Sequence, residues 1–144
     1  MMIIDGKKEA EILRQEIKKE IDLLKSENKK VPGLTVILIG DFAPSQIYVK
    51  NKEKSAKEVG INSNVIRYPK EVTEEEVLKK IEDLNNDTDV SGILVQLPLP
   101  SQINKEKIIK AINPKKDVDG FHPMNVGNLS SGYHALVPCT PLGC

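Results

Sequence analysis

Leu34-Thr-Val-Ile-Leu-Ile39 is an almost unbroken apolar run, and it passes through Gly40-Asp-Phe-Ala-Pro44 into a segment, Pro44 to Val59, with helical spacing. A strand apolar on both sides is the kind buried inside a parallel sheet, not one that alternates between core and water. In open α/β sheets, ligands bind at the carboxyl ends of such strands, where this glycine and proline lead into the helix. Downstream, Gly60 is well placed as a carboxyl-terminal cap, and Ile61 to Tyr68 reads as a second strand. Thr73 followed by Glu76 is a capping-box signature for a helix carrying Val77, Leu78, Ile81 and Leu84. Gly92-Ile-Leu-Val-Gln-Leu97 is a third strand, and a helix from Asn104 to Ile112 is stopped by Asn113-Pro114. Upstream, Asp5 to Lys25 is an amphipathic helix with Ile12, Leu13, Ile17, Ile21 and Leu24 on one face, closed off by Pro32 and Gly33.

Strand and helix therefore alternate from Leu34 to Ile112, which predicts a three-layer α/β/α domain with a mostly parallel sheet and right-handed crossovers. From Pro114 onward the pattern dissolves into Asp, Gly, Pro and Asn, as expected of a functional loop or a connector. At 144 residues the chain is one domain, or one domain and the start of another. A chain of this size buries about 70% of its unfolded surface, so it needs neither disulfide nor structural metal.

The 21 basic and 21 acidic residues cancel, leaving no global field for nucleic acid or an anionic membrane. Aromatic residues are 3% of the chain and tryptophan is absent, which argues against base stacking. Met1-Met-Ile-Ile-Asp5 turns charged too soon for a signal peptide, and no apolar run approaches the roughly 20 residues of a membrane span. Cys139 and Cys144 are the only cysteines, and without a secretory signal they read as reduced thiols in the cytoplasm. With His134 they lack the second ligand pair of a metal centre, and no metal is expected.

The helix Pro44–Val59 carries one charge out of place. At about 100° per residue, Val49, Ala56 and Val59 share a stripe with Tyr48, and Lys52 falls within it while the other charges project opposite. Ser45, Tyr48 and Lys52 stand one turn apart on one face. Such a lysine either snorkels to water along its methylenes or serves a binding or catalytic site. Gln96 interrupts the third strand just before Pro98 and Pro100 end it, at the same rim. Its amide must be satisfied by backbone or by a ligand.

Asp117-Val-Asp119-Gly120 is turn chemistry, or a pair of carboxylates able to grip a planar donor pair on a heterocycle. It lacks the remaining ligands of a calcium loop. His122 reads as a turn or surface residue. Tyr48-x-x-x-Lys52 also occurs in short-chain dehydrogenases, but their glycine-rich dinucleotide turn is missing here.

Taken together, Tyr48-Val-Lys-Asn-Lys52, Gly92-Ile-Leu-Val-Gln-Leu-Pro-Leu-Pro100, Pro114-Lys-Lys-Asp-Val-Asp-Gly120 and Pro138-Cys-Thr-Pro141 closely resemble the bifunctional methylenetetrahydrofolate dehydrogenase/cyclohydrolase family. The likeness spans nearly the whole chain, in order. It implies an amino-terminal, amino-acid-dehydrogenase-like domain (residues 1–120) that binds folate and catalyses. Residues 121–144 would be a connector towards a Rossmann-type NADP-binding domain that this chain lacks, so the chain reads as a fragment. By resemblance, Lys52 would be the acid/base of the cyclohydrolase step, and Tyr48 would orient and stack near the folate. Gln96 would hold Lys52, and Asp119 would bind the amino-pyrimidine edge of the pterin. Ser45, Leu97 and Pro98 would line the substrate, and Cys139 would stand at the cofactor edge of the cleft. A lysine whose pKa is depressed by burial exchanges protons near neutral pH, which an ordinary one near 10.4 does not. The family further implies a homodimer when full length and a place in purine, methionine and histidine biosynthesis. The rival expectations are a non-catalytic folate- or heterocycle-binding domain and a scaffold domain without ligand.

Overall fold

A computed structural model describes residues 5–143. Helix α1 (Gly6–Ser26) is followed by β1 (Gly33–Ile39), α2 (Ala43–Val59), β2 (Asn62–Tyr68), α3 (Glu74–Asn86), β3 (Gly92–Val95), α4 (Lys105–Ala111), α5 (Pro123–Ser130) and α6 (Cys139–Gly143). The strands form one parallel sheet in the order β2-β1-β3, with Leu34 opposite both Ser63 and Gly92. The apolar run is thus the central strand, which is why it shows no alternation.

Its two faces are covered unequally. Ile37, Ile39, Ile93 and Val95 pack beneath α3 and α4 against Val77, Ile81 and Ile108, all three fully buried. Val36, Leu38 and Leu94 meet Val49 of α2 on the other face, and α1 lies outside on α2. The predicted three layers are present.

The local signals hold at the helix ends. Gly60 adopts φ 89° and donates to the carbonyls of Ala56 and Lys57, a left-handed cap that a side chain would strain. Thr73 and Glu76 form the reciprocal capping box. Thr73→Ala removes one side of it and is expected to cost about 1 kcal/mol, read as a Tm lower by about 3 °C in a calorimetric melt. An unchanged Tm would show that the box contributes nothing here.

Three expectations are corrected. Of the α1 stripe only Ile21 is buried, while Ile12 and Leu13 are 40% and 56% exposed. The helix has 21 residues against 17 in α2, and its second half meets the end of α2, with Ile21 and Lys25 beside Gly60. β3 stops at Val95, two residues before the predicted end. Gln96 still donates its N–H to Ile37 O at 2.9 Å, but Leu97 and Pro98, joined by a cis peptide, turn the chain away. The segment after Pro114 is not without order, because it carries α5 and α6.

Candidate active site

Helix α2 starts only a few residues after β1, so its first turns stand at the carboxyl end of the sheet. Side chains tilt towards a helix's amino terminus, which here aims Lys52 along that rim. The Lys52 ammonium donates to Gln96 Oε1 at 3.2 Å, and Gln96 Nε2 donates to Leu97 O at 2.9 Å. Ser45, 3% exposed, donates its hydroxyl to the same carbonyl at 3.3 Å. The amide orientation of Gln96 follows from its neighbours: turned over, it would set N–H against ammonium and oxygen against a carbonyl. The chain from Ser45 through Leu97 and Gln96 thus presents an acceptor to one cation.

Lys52 itself is exposed, and Tyr48 is 60% exposed. The burial expected of Lys52 is not found in this domain. Its side-chain hydrogen bond is with Gln96, just past the end of β3 at Val95, where the sheet no longer covers it.

Asp119 is brought to the same place from the loop after α4. Burial pushes its carboxyl above the usual value of 3.8, the nearby Lys52 charge pulls it down, and Asp117 raises it further. Leu97 and Phe121 belong to the apolar wall beside it, the source of that desolvation. Gly120 follows at φ 68°, where an added Cβ would run into Leu136 O and Pro138. Glycine there lets the Leu136–Pro138 segment close over the loop, and Cys139 follows directly as an exposed free thiol. Pro98 is exposed on the rim.

Asp117 plays a different part from Asp119. It is 2% exposed, and its Oδ2 accepts from His122 N at 2.8 Å and from Asn125 Nδ2 at 2.9 Å. His122 is a helix cap, with Nδ1 accepting from Met124 N at 3.1 Å. Lys116 anchors the same loop by donating to the carbonyls of Leu84, Asn85 and Asp87 at 2.9, 2.8 and 2.7 Å, where positive charge suits the end of α3. Neither Lys116 nor Asn125 was legible as a site residue, since each acts only through a loop brought near by the fold.

A cavity of about 680 Å³ lies elsewhere, at the amino ends of β1 and β2 beside Gly33, Ser63 and Asp89. Its charges are already matched, Lys30 to Asp89 at 2.7 Å and Lys57 to Glu53 at 2.6 Å. The chemistry collects at the opposite rim, as the topology of a parallel sheet requires. No group of three or more potential metal ligands is found among the described residues. Cys144, the possible companion of Cys139 and His134, lies outside them. Among the described residues no helix is long and apolar enough to cross a membrane.

Lysine, glutamine and aspartate are thus gathered at the carboxyl rim of an open parallel sheet, the edge at which α/β folds bind ligands. A model of the tetrahydrofolate dehydrogenase/cyclohydrolase catalytic domain matches residues 4–119, and the chain belongs to that family. It is 65% identical over its whole length to the bifunctional protein FolD of Pelagibacter ubique, covering 51% of that protein. The FolD of Prosthecochloris aestuarii is 54% identical over 99% of the chain, which covers 49% of it. The bifunctional FolD methylenetetrahydrofolate dehydrogenase/cyclohydrolase of Campylobacter jejuni superposes with a TM-score of 0.93 at 47% identity, over 96% of this chain and 49% of the other. The Trypanosoma brucei methylenetetrahydrofolate dehydrogenase-cyclohydrolase, complexed with NADP cofactor and inhibitor, does so with a TM-score of 0.91 at 35% identity, over 96% and 48%. The chain thus spans about half the length of the relatives it matches.

Proposed function

We propose that this chain is the folate-binding, proton-transferring half of an enzyme that oxidises methylenetetrahydrofolate with NADP and hydrolyses the methenyl product to 10-formyltetrahydrofolate. The observation that carries the reading is the Lys52–Gln96 bond at 3.2 Å on the rim that also holds Asp119. In the hydrolysis, water adds its oxygen to the cationic methenyl carbon, one carbon–nitrogen bond breaks, and the water gives up both protons, one to the departing nitrogen and one to solvent. Lys52 is suited to carry the first, and Gln96 Oε1 to hold the amine in line. A folate stacked on Tyr48 would itself remove water from around Lys52, supplying the burial that the domain lacks. Asp119, held in an apolar setting, would accept from the paired N–H groups of the amino-pyrimidine, with Ser45, Leu97 and Pro98 shaping the floor.

The described residues do not fit a dinucleotide. Gly40 stands alone in the turn from β1 to α2, without the further glycines that let phosphates approach a helix start. NADP therefore belongs to the part of the relatives beyond this match, and residues 121–144 serve as the connector towards it, with Cys139 at the cofactor edge. The full-length enzyme would work as a cytoplasmic homodimer feeding purine, methionine and histidine biosynthesis.

Purified full-length protein is expected to reduce NADP in the presence of methylenetetrahydrofolate and to hydrolyse methenyltetrahydrofolate. Absence of both activities with intact substrates would overturn the reading. The exposure of Lys52 favours one rival, a domain that binds folate without catalysis, for which titration would show binding and neither reaction would proceed.

A further inference from the structure

The loop that carries Asp119 has little regular structure to hold it. One parallel bridge joins Asp117 to Ile93, and Ile93 N donates to Lys116 O at 2.7 Å. Beyond that point the chain depends on polar side chains. Asn125, 6% exposed, donates from Nδ2 both to Pro114 O, where the loop starts, and to Asp117 Oδ2, each at 2.9 Å. Asp117 passes the tie to His122 N on the far side of Asp119. Asp119 therefore lies between two points, Asp117 and His122, that the Asp117 carboxylate joins, and the Asn125 amide ties that carboxylate back to the start of the loop.

Within helix α5 itself the burial falls on one side chain. Asn125 is its only buried residue, while Met124, Val126 and Leu129 are 58%, 49% and 43% exposed. An apolar residue at 125 would leave the Asp117 carboxylate, already out of water, short of a donor.

We propose that Asn125 is a positioning residue: its amide, by spanning Pro114 and Asp117, sets the place of Asp119 and so determines recognition of the folate's amino-pyrimidine edge. This rests on the proposed binding role of Asp119. It acts on substrate capture rather than on the proton transfer at Lys52.

The test uses full-length protein and compares Asn125→Asp with wild type. The substitution faces a second carboxylate against Asp117, and two carboxylates this close share a proton, so one of them titrates well above the ordinary range. At pH 8 the variant's KM for methylenetetrahydrofolate is expected to rise about tenfold, the order seen when a buried polar contact is mismatched, with kcat within about twofold of wild type. As the pH falls towards 6 the shared proton restores a donor, and KM should return towards the wild-type value, a recovery that a merely structural lesion would not give. Asn125→Ser keeps a hydroxyl donor too short to span both acceptors, and should raise KM at every pH without recovery. A KM unchanged in both variants, or a loss of kcat at constant KM, overturns the proposal. If Asn125→Asp does not fold, the Asn125→Ser result decides alone on the same criterion. Asp119→Asn run in parallel separates the two readings: if it leaves KM unchanged, the binding role of Asp119 fails, whereas a large loss there beside a flat Asn125 series overturns only this inference.

Discussion

Lys52→Met in the full-length enzyme is expected to reduce methenyltetrahydrofolate hydrolysis by about 100-fold or more, the range for a positioned acid/base group. The structure makes the experiment clean. Lys52 is exposed and its recorded partner is Gln96 Oε1, so methionine removes the amine without opening a cavity. Gln96 lies on a wet rim, where water can take the vacated bond, and its other tie to Leu97 O remains. The folded fraction and the Tm should therefore match wild type. Oxidation of methylenetetrahydrofolate loses a hydride, and no proton need move at the same atom, so NADP reduction should retain much more of its rate. The decisive measurement is both reactions on one folded preparation. A variant with unimpaired hydrolysis would make Lys52 an ordinary rim lysine and leave the hydrolysis without a named base. An equal fall in both reactions would assign it to binding alone.

The second large effect separates the two aspartates of one loop. Asp119→Asn is expected to weaken folate binding by roughly tenfold to a hundredfold, since it turns one acceptor oxygen into a donor facing donors, a mismatch of about 1 to 3 kcal/mol. Asp117→Asn should cost far less, because an amide oxygen can still accept from His122 N and Asn125 Nδ2 in the buried latch. The pH dependence adds an independent mark. The carboxylate that binds is the ionised one, and burial holds its pKa above 3.8. Affinity should therefore be full above that raised value and fall as the pH drops through it, earlier than an ordinary aspartate would allow. Stability of the free protein runs the other way. A carboxyl raised on folding contributes stability below its unfolded value, and that contribution is lost as the pH rises through the folded one. Asp119→Asn should thus weaken binding near neutral pH while leaving the free protein as stable as before or more so. Equal small losses of affinity for both variants would show that the loop is structural only.

Much of the scaffold was readable because it is local. The run Leu34–Ile39 could only be an interior strand, Gly60 could only end a helix cheaply, and Thr73 with Glu76 formed the box their spacing predicts. The meeting of Lys52 with Gln96 follows from topology as much as from side chains. A helix that starts where a parallel strand ends returns its first turn to the same rim as every other strand's carboxyl end.

Other features escaped for physical reasons. A helical wheel assigns a direction to Lys52, not the presence of protein in that direction, and Lys52 is exposed where the wheel predicts core. Helix α5 carries no amphipathic signal because its buried anchor is an asparagine and its apolar residues face outward. The two aspartates are alike in sequence, two residues apart. Only the packed structure separates them, enclosing Asp117 in a latch of backbone and amide donors and leaving Asp119 half-buried near the Lys52 charge. Sequence by itself determined the elements from α1 to α4, their order and the rim at which polar groups gather, since propensities, caps and apolar periods act over a few residues. Tertiary structure alone decided which polar group is exposed, which is locked and which is desolvated, because those depend on neighbours dozens of residues away.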